Sequence, residues 1–246
     1  MTEQIIFSAL LLITIAVFIY SAFKIYRWFK LTKPAYPVKQ IGQRIKLTIV
    51  NAFFQDRIFR NKIAGFMHAL VFWGFCVILI GSIEIVIDGV AGLERSLGFL
   101  GLFYDIIMGL GDISAYVIAL FTLIFIIRRC CLDIPRLHGK ELSPKNHKDA
   151  YLALTFIFIL MISLAGVNIF YVLMHGGEAD FVGRYPISEI VAPIFAGLSY
   201  DTWHIIHDIN WCVHIVLIFI FANVLPYSNH FHIFMSIPNV FFSRLN

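Results

Sequence analysis

Histidines lie at both ends of the last long apolar stretch of this chain, between His204 and Pro238. His214 and His232 are eighteen residues apart, about five turns, so on one continuous helix both rings leave the same face. The rise between them is then about 27 Å, close to the hydrocarbon thickness of a bilayer. His207 lies two turns before His214, on nearly the same stripe. Two neutral imidazoles bind one low-spin haem iron, so the spacing predicts a helix that presents haem ligands towards both sides of a membrane.

The composition is that of an integral membrane protein. Of the 246 residues, 60% are hydrophobic and 14% are charged, and the mean hydropathy is +0.84. A soluble domain has closer to a quarter charged residues. The predicted fold is all-α: a five-helix transmembrane bundle in a single domain, residues 1–246, with a surface amphipathic segment at about 40–60. The predicted spans are about 5–23, 63–87, 103–127, 151–174 and 205–225.

Lysine and arginine predict the orientation. The loops after the first and third spans contain ten and six of these residues, whereas the opposite side has Arg95 and Arg184. By the positive-inside rule, the basic loops and the C-terminus are cytoplasmic and the N-terminus is outside.

The four cysteines do not form a cluster motif. Cys76 and Cys212 lie within spans, Cys130 and Cys131 are adjacent, and the sequence has no CxxC pair. The chain therefore does not carry its own iron–sulfur cluster or zinc site, and any cluster in the system belongs to a partner.

His68 and His232 are predicted to lie at similar depth on antiparallel helices. His68 is about 9 Å into the second span, counted from Lys62, and His232 lies where the fifth span leaves on the same side. A bis-histidine haem requires this arrangement. Gly65, one turn from His68, leaves room for a flat macrocycle. Polar groups inside a membrane are costly and tend to be functional, which favours a haem over a pair of structural histidines.

Two stretches resemble a known family. Residues 225–234 (LPYSNHFHIF) and 65–68 (GFMH) resemble the ligand helices of the haem-b membrane subunit of respiratory nitrate reductase. Residues 65–75 and 238–242 are more similar to the membrane module of heterodisulfide-reductase-like iron–sulfur oxidoreductases, including those that pass electrons from electron-transfer flavoprotein to menaquinone. This resemblance implies haem b, menaquinone or another quinone, a cytoplasmic cysteine-rich iron–sulfur partner, and the bacterial cytoplasmic membrane.

The resemblance also implies the ligands. His68 and His232 match those of the cytoplasmic-side haem, and His214 matches one ligand of a second, outer haem. The position of its partner is Ile78 in this chain. Either the outer haem is absent or another histidine replaces that ligand, and His175 is the best-placed candidate. One haem is expected, with two as the alternative.

Quinone chemistry needs proton donors near the haem, in a pocket open to lipid. Glu84, Asp112 and His207 are the candidates, because an ionisable side chain within an apolar span is a functional candidate by default. The competing interpretation is a helix cap or an interfacial anchor.

These features predict a haem-b membrane subunit that carries electrons between an iron–sulfur partner and a quinone, in either direction. The alternative is a haem-free membrane anchor or a small proton or metal transporter. Transporters usually show inverted repeats and interrupted helices, and neither is found in the sequence.

Overall fold

The computed structural model describes residues 2–31, 37–60, 62–131, 144–177 and 181–245. Within these ranges the chain is helical and has no β-strand. Its α-helices, in chain order, are α1 (Thr2–Lys30), α2 (Ile41–Thr48), α3 (Lys62–Ala91), α4 (Leu102–Cys131), α5 (Pro144–His175), α6 (Pro186–Val191), α7 (Tyr200–Val224) and α8 (His232–Phe241).

Five of these helices are long and apolar enough to cross a membrane. The spans are Gln4–Lys30, Lys62–Ala91, Leu102–Cys131, Lys148–His175 and Tyr200–Tyr227. Each encloses a predicted span and extends it at both ends. Helices satisfy their backbone hydrogen bonds internally, which is the condition for crossing a lipid core. The prediction of an all-α, five-helix membrane bundle is confirmed.

Successive long helices run antiparallel. The pairs in contact are α3 with α4, α4 with α5, α5 with α7, and α1 with both α3 and α7. One end of the bundle, which we call the basic end, carries exposed Lys24, Arg27, Lys30, Lys62 and Lys148. Lys33, Arg136 and Lys140, which also contributed to the predicted orientation, lie outside the described residues.

Small residues allow the helices to approach closely, as is usual in membrane bundles. A Cβ atom added at Gly74 on α3 would lie 3.0 Å from side-chain carbons of both Ser114 and Ile118 on α4. Ile118 is buried with Ile78 and Leu160 in one apolar cluster that joins α3, α4 and α5. This cluster forms the centre of the bundle.

The chain does not form one continuous helix from His214 to His232. The α-helix ends at Val224, Pro226 follows in a short 3₁₀ turn, and Ser228 is extended, with φ −103° and ψ 166°. Proline has no N–H to donate within a helix and disfavours helical geometry at the residue before it. The five-turn relation between the two rings is therefore wrong, and α8 starts as a new helix at His232.

The segment predicted as amphipathic is helical in part. It consists of α2, a π-helical turn over Ile49–Phe53 and a 3₁₀ turn over Ile58–Arg60. α2 contacts α8, so the two short helices lie together at the basic end.

Candidate functional site

His68 lies in the second turn of α3 and is half-buried. Its Nδ1 atom is 3.1 Å from the Oε1 atom of Gln55. A carbonyl oxygen only accepts hydrogen bonds, so this contact favours the tautomer with the proton on Nδ1 and the lone pair on Nε2. Histidines that bind a metal through Nε2 commonly donate their other N–H in this way.

His232 lies near His68 at the basic end. The two rings are close enough to interact electrostatically, although His232 is exposed and belongs to a different helix. His230, the neighbouring histidine, has its ring centroid 5.8 Å from that of His232. Burial lowers the pKa of His230, and the nearby His232 lowers it further. The structure thus places the two histidines predicted as ligands of one haem at the same end of the bundle, within range of an electrostatic interaction.

Gly65 does not leave an open space beside His68. A Cβ atom at this position would fall on the carbonyl oxygen of Ile58 and would lie 3.1 Å from the Cα atom of Phe59. The room that the sequence suggested for a macrocycle is occupied here by the backbone of the 3₁₀ turn. Gly65 instead permits that turn to rest directly on α3.

His214 is buried at the middle of the bundle, with 2% of its surface exposed. Its Nδ1 atom is 3.0 Å from the backbone oxygen of Leu160 and 3.1 Å from the Oγ atom of Ser163. Its Nε2 atom is buried and has no hydrogen-bond partner. A carbonyl at Nδ1 and an unpaired Nε2 fit the tautomer of a haem ligand, so this side chain suits the role that the resemblance implies.

The partner that a second haem needs does not face His214. Ile78 is 7% exposed within the central apolar cluster and offers no ligand atom. His175 lies twelve residues beyond Ser163 on α5, about 18 Å along the helix from the level of His214. Its ring packs against that of Tyr171, with centroids 5.0 Å apart. The structure does not bring His175 to His214.

Asp112 is fully buried on α4 and has a complete set of partners. Its carboxylate accepts hydrogen bonds from the backbone N–H groups of Ile187 at 2.8 Å and Ser188 at 3.0 Å. It also accepts from the Ser188 hydroxyl at 2.6 Å and the Asn168 amide at 3.1 Å. These backbone groups belong to the first turn of α6, so Asp112 caps a helix other than its own. It is not open to lipid.

Glu84 is also enclosed, with 1% of its surface exposed. One carboxylate oxygen accepts from the backbone N–H of Leu97 at 2.9 Å, and the other accepts from the Tyr104 hydroxyl at 3.0 Å. The guanidinium of Arg95 lies nearby, 4.3 Å from the ring centroid of Tyr171. This contact is a cation–π interaction. Glu84 therefore fastens the loop between α3 and α4.

His207 differs from the other two quinone candidates because its side chain reaches the surface. It is 16% exposed, and its Nδ1 atom is 3.2 Å from a carboxylate oxygen of Asp208, which is 58% exposed. The pair lies in the second and third turns of α7, at the end of the bundle opposite to the basic end.

Arg44 is a site residue that the sequence did not single out. It is 3% exposed on α2, and its guanidinium donates at 2.7 Å each to the backbone oxygens of Lys39, Phe241 and Ser243. Two of these carbonyls close the C-terminal end of α8, where a cation is favourable. Arg44 therefore fixes the helix that begins with His232.

Metal ligands do not gather in larger groups among the described residues. No three or more His, Cys, Asp or Glu side chains come together there in a way that could hold an ion. A haem iron needs only two ligands from the protein, which a pair of histidines supplies.

Two curated proteins are similar to this chain. The chain is 28% identical over 212 residues to the probable iron-sulfur-binding oxidoreductase FadF of Bacillus subtilis, a match over 84% of this chain and 28% of that protein. It is 24% identical over 245 residues to the EtfAB:quinone oxidoreductase of Syntrophomonas wolfei, over 96% of this chain and 33% of that protein. The chain thus spans about a third of the length of these relatives.

No family model and no solved structure matches the chain. The more specific likeness to the nitrate reductase membrane subunit therefore has no support from these comparisons. Together with the five membrane-spanning helices, the two curated relatives support an oxidoreductase-related family for this multi-pass membrane protein.

Proposed function

We propose that the chain is a haem-b membrane subunit that carries electrons between a cytoplasmic iron–sulfur partner and a membrane quinone. The observation that carries the proposal is the placement of His68 and His232 at the same end of the bundle, within range of an electrostatic interaction, with Nδ1 of His68 hydrogen-bonded to the side-chain oxygen of Gln55. That bond leaves the Nε2 lone pair of His68 for a metal.

A bound haem would supply one-electron chemistry at the basic end. The residues of the chain contribute the rest. His68 and His232 would hold the haem iron, Gln55 would set the tautomer of His68, and Arg44 anchors the helix that carries His232. Ligand identity, hydrogen bonding and burial are the properties through which a protein adjusts a haem.

One haem is proposed for each chain. His214 has a suitable free nitrogen, but apolar Ile78 occupies the partner position, and His175 is about three turns of helix away.

The number of haems determines on which side of the membrane the quinone reacts. With one haem at the basic end, the quinone reacts in that half of the membrane. His207, at the opposite end, belongs to the two-haem alternative.

The partner is proposed from the names and lengths of the relatives. One is named as iron–sulfur-binding and the other as a quinone oxidoreductase, and this chain matches about a third of each. The remaining parts of such a system would include the iron–sulfur protein. We place it on the basic end, which by the positive-inside rule faces the cytoplasm of a bacterium, with the N-terminus outside.

The experiment is a reduced-minus-oxidised spectrum of the purified chain, produced with adequate haem supply. We expect a sharp b-type α band that His68→Ala and His232→Ala each abolish. His230→Ala, beside His232, and His204→Ala, at the opposite end, are matched controls that keep it. A colourless wild-type protein would favour the haem-free anchor or transporter. An intact band in His68→Ala and His232→Ala would remove both residues as ligands.

A further inference from the structure

Gln55 combines an unfavourable backbone with an inward side chain. Its φ is 56°, in the left-handed region that residues with a long side chain rarely adopt. Only 3% of its surface is exposed, and its Oε1 atom lies 3.1 Å from Nδ1 of His68. A local conformational cost persists only where surrounding contacts compensate for it. Here the hydrogen bond between the Gln55 side chain and His68 is a contact that can compensate for the cost of the positive φ.

The turn that carries Gln55 rests on α3 at Gly65. The backbone N–H of Ile58 donates to the backbone oxygen of Gln55 at 2.8 Å, which ties the two residues together. A Cβ atom at Gly65 would fall on the Ile58 carbonyl oxygen and lie 2.8 Å from its carbonyl carbon. Gly65 is three residues before His68. The missing side chain at Gly65 therefore decides how closely Gln55 approaches the histidine.

We infer that Gln55 positions His68 as a haem ligand. We also infer that Gly65, because it has no side chain, lets the turn that carries Gln55 pack directly against α3. We call this contact between Gly65 and the turn the seat. The inference rests on the proposed function, because it requires His68 on the iron. By accepting the Nδ1 proton, Gln55 fixes the ring and makes Nε2 a stronger electron donor. A stronger donor favours ferric iron, so this hydrogen bond lowers the midpoint potential of the haem.

The test is a spectroelectrochemical titration of the purified chain and its Gln55 variants. Gln55→Leu removes the acceptor without adding charge, and we expect a higher midpoint potential. Gln55→Glu provides a stronger acceptor, and we expect a lower one. The matched controls are Gln43→Leu and Gln43→Glu, because Gln43 is exposed on α2 in the same segment. Both controls should keep the midpoint potential of the wild type.

A second variant tests the seat with Gln55 intact. In Gly65→Ala the added methyl group meets the backbone of Ile58, so the turn must move away from α3. We expect the midpoint potential to rise, in the same direction as in Gln55→Leu. Alanine favours helix over glycine, so α3 itself is preserved. Gly42→Ala is the control, since a Cβ atom there would meet nothing within 4 Å.

The outcomes separate this inference from the function on which it rests. If wild type, Gln55→Leu and Gln55→Glu contain the same amount of haem at the same midpoint potential, the positioning role is refuted and the haem subunit stands. A shift in Gln55→Leu with none in Gly65→Ala refutes the seat. A wild-type protein without haem refutes the proposed function, and the inference with it.

Discussion

The Oγ atom of Ser188 on α6 lies 2.6 Å from a carboxylate oxygen of Asp112 on α4, seventy-six residues away in the chain. Together with the backbone bonds from Ile187 and Ser188, this contact attaches α6 to the bundle. An acid within an apolar span is commonly a functional group. Here its hydrogen-bond partners show that it anchors a neighbouring helix.

Replacing Asp112 should therefore reduce stability before it affects any redox property. Asp112→Ala leaves several buried donors without an acceptor, each costing about 1–3 kcal/mol. We expect a loss of roughly 3–5 kcal/mol in the free energy of unfolding, less than the sum of the separate costs because contributions of neighbouring groups are not additive. Thermal denaturation in detergent measures it, with Asp105→Ala on the same helix as the control. Unchanged stability with lost quinone reactivity would restore Asp112 as a quinone residue.

Replacing Glu84 should also lower the stability of the protein, and alanine should lower it more than glutamine. Glu84→Gln keeps one oxygen for the N–H of Leu97 but puts a donor opposite the Tyr104 hydroxyl, so we expect a loss of about 1–2 kcal/mol. Glu84→Ala removes both acceptors and should cost more. The exposed Glu94→Gln is the control. Equal thermal denaturation curves for all three variants would contradict the structural role.

Arg44 should control the position of His232, and through it the binding of the proposed haem. Arg44→Ala removes three hydrogen bonds from a charged donor, and each such bond contributes about 1.5–3 kcal/mol. We expect faster amide exchange in α8 and a lower haem-to-protein ratio. Lysine should not rescue either property, because it lacks the planar fork of donors. Lys46→Ala, exposed on the same helix, is the control. Wild-type exchange in α8 of Arg44→Ala would disprove the anchor.

His214 decides between one haem and two. With one haem at the basic end, the pyridine haemochrome assay should give one haem per chain, and His214→Ala should leave that value unchanged. A value of two in the wild type that falls to one in His214→Ala would establish the second haem. In that case a side chain other than Ile78 must supply the second ligand of the outer haem, and His207 would again be a candidate for the quinone site.

The long helices and the position of His68 along α3 follow from the sequence because they depend on local properties. Apolar runs longer than a bilayer fix the spans, and the residue count from Lys62 places His68 in the second turn of α3. The course of the chain after Val224 was not predictable in the same way. A proline such as Pro226 can either kink a helix that then continues or end it. Here the extended backbone of Ser228 turns the chain away from the axis of α7, so the helix ends.

The partners of the candidate residues could not be predicted either. Gln55, thirteen residues before His68, meets it only because of a positive φ and a glycine seat, which leave no periodic pattern. The bond from His214 to the backbone of Leu160 involves an atom that every residue has. By its sequence, Asp112 could be either a quinone residue or a helix cap, because the turn that it caps lies more than seventy residues later. Such long-range contacts determine whether a buried carboxylate has a functional or a structural role.

The most direct test of the account is the low-temperature electron paramagnetic resonance spectrum of the oxidised wild-type chain, recorded with its haem-to-protein ratio. We predict a low-spin ferric signal from two histidine ligands, lost in both His68→Ala and His232→Ala and retained in His230→Ala. A wild-type protein that contains no haem, or a low-spin signal that survives both substitutions, would contradict the claim that these two histidines bind one iron.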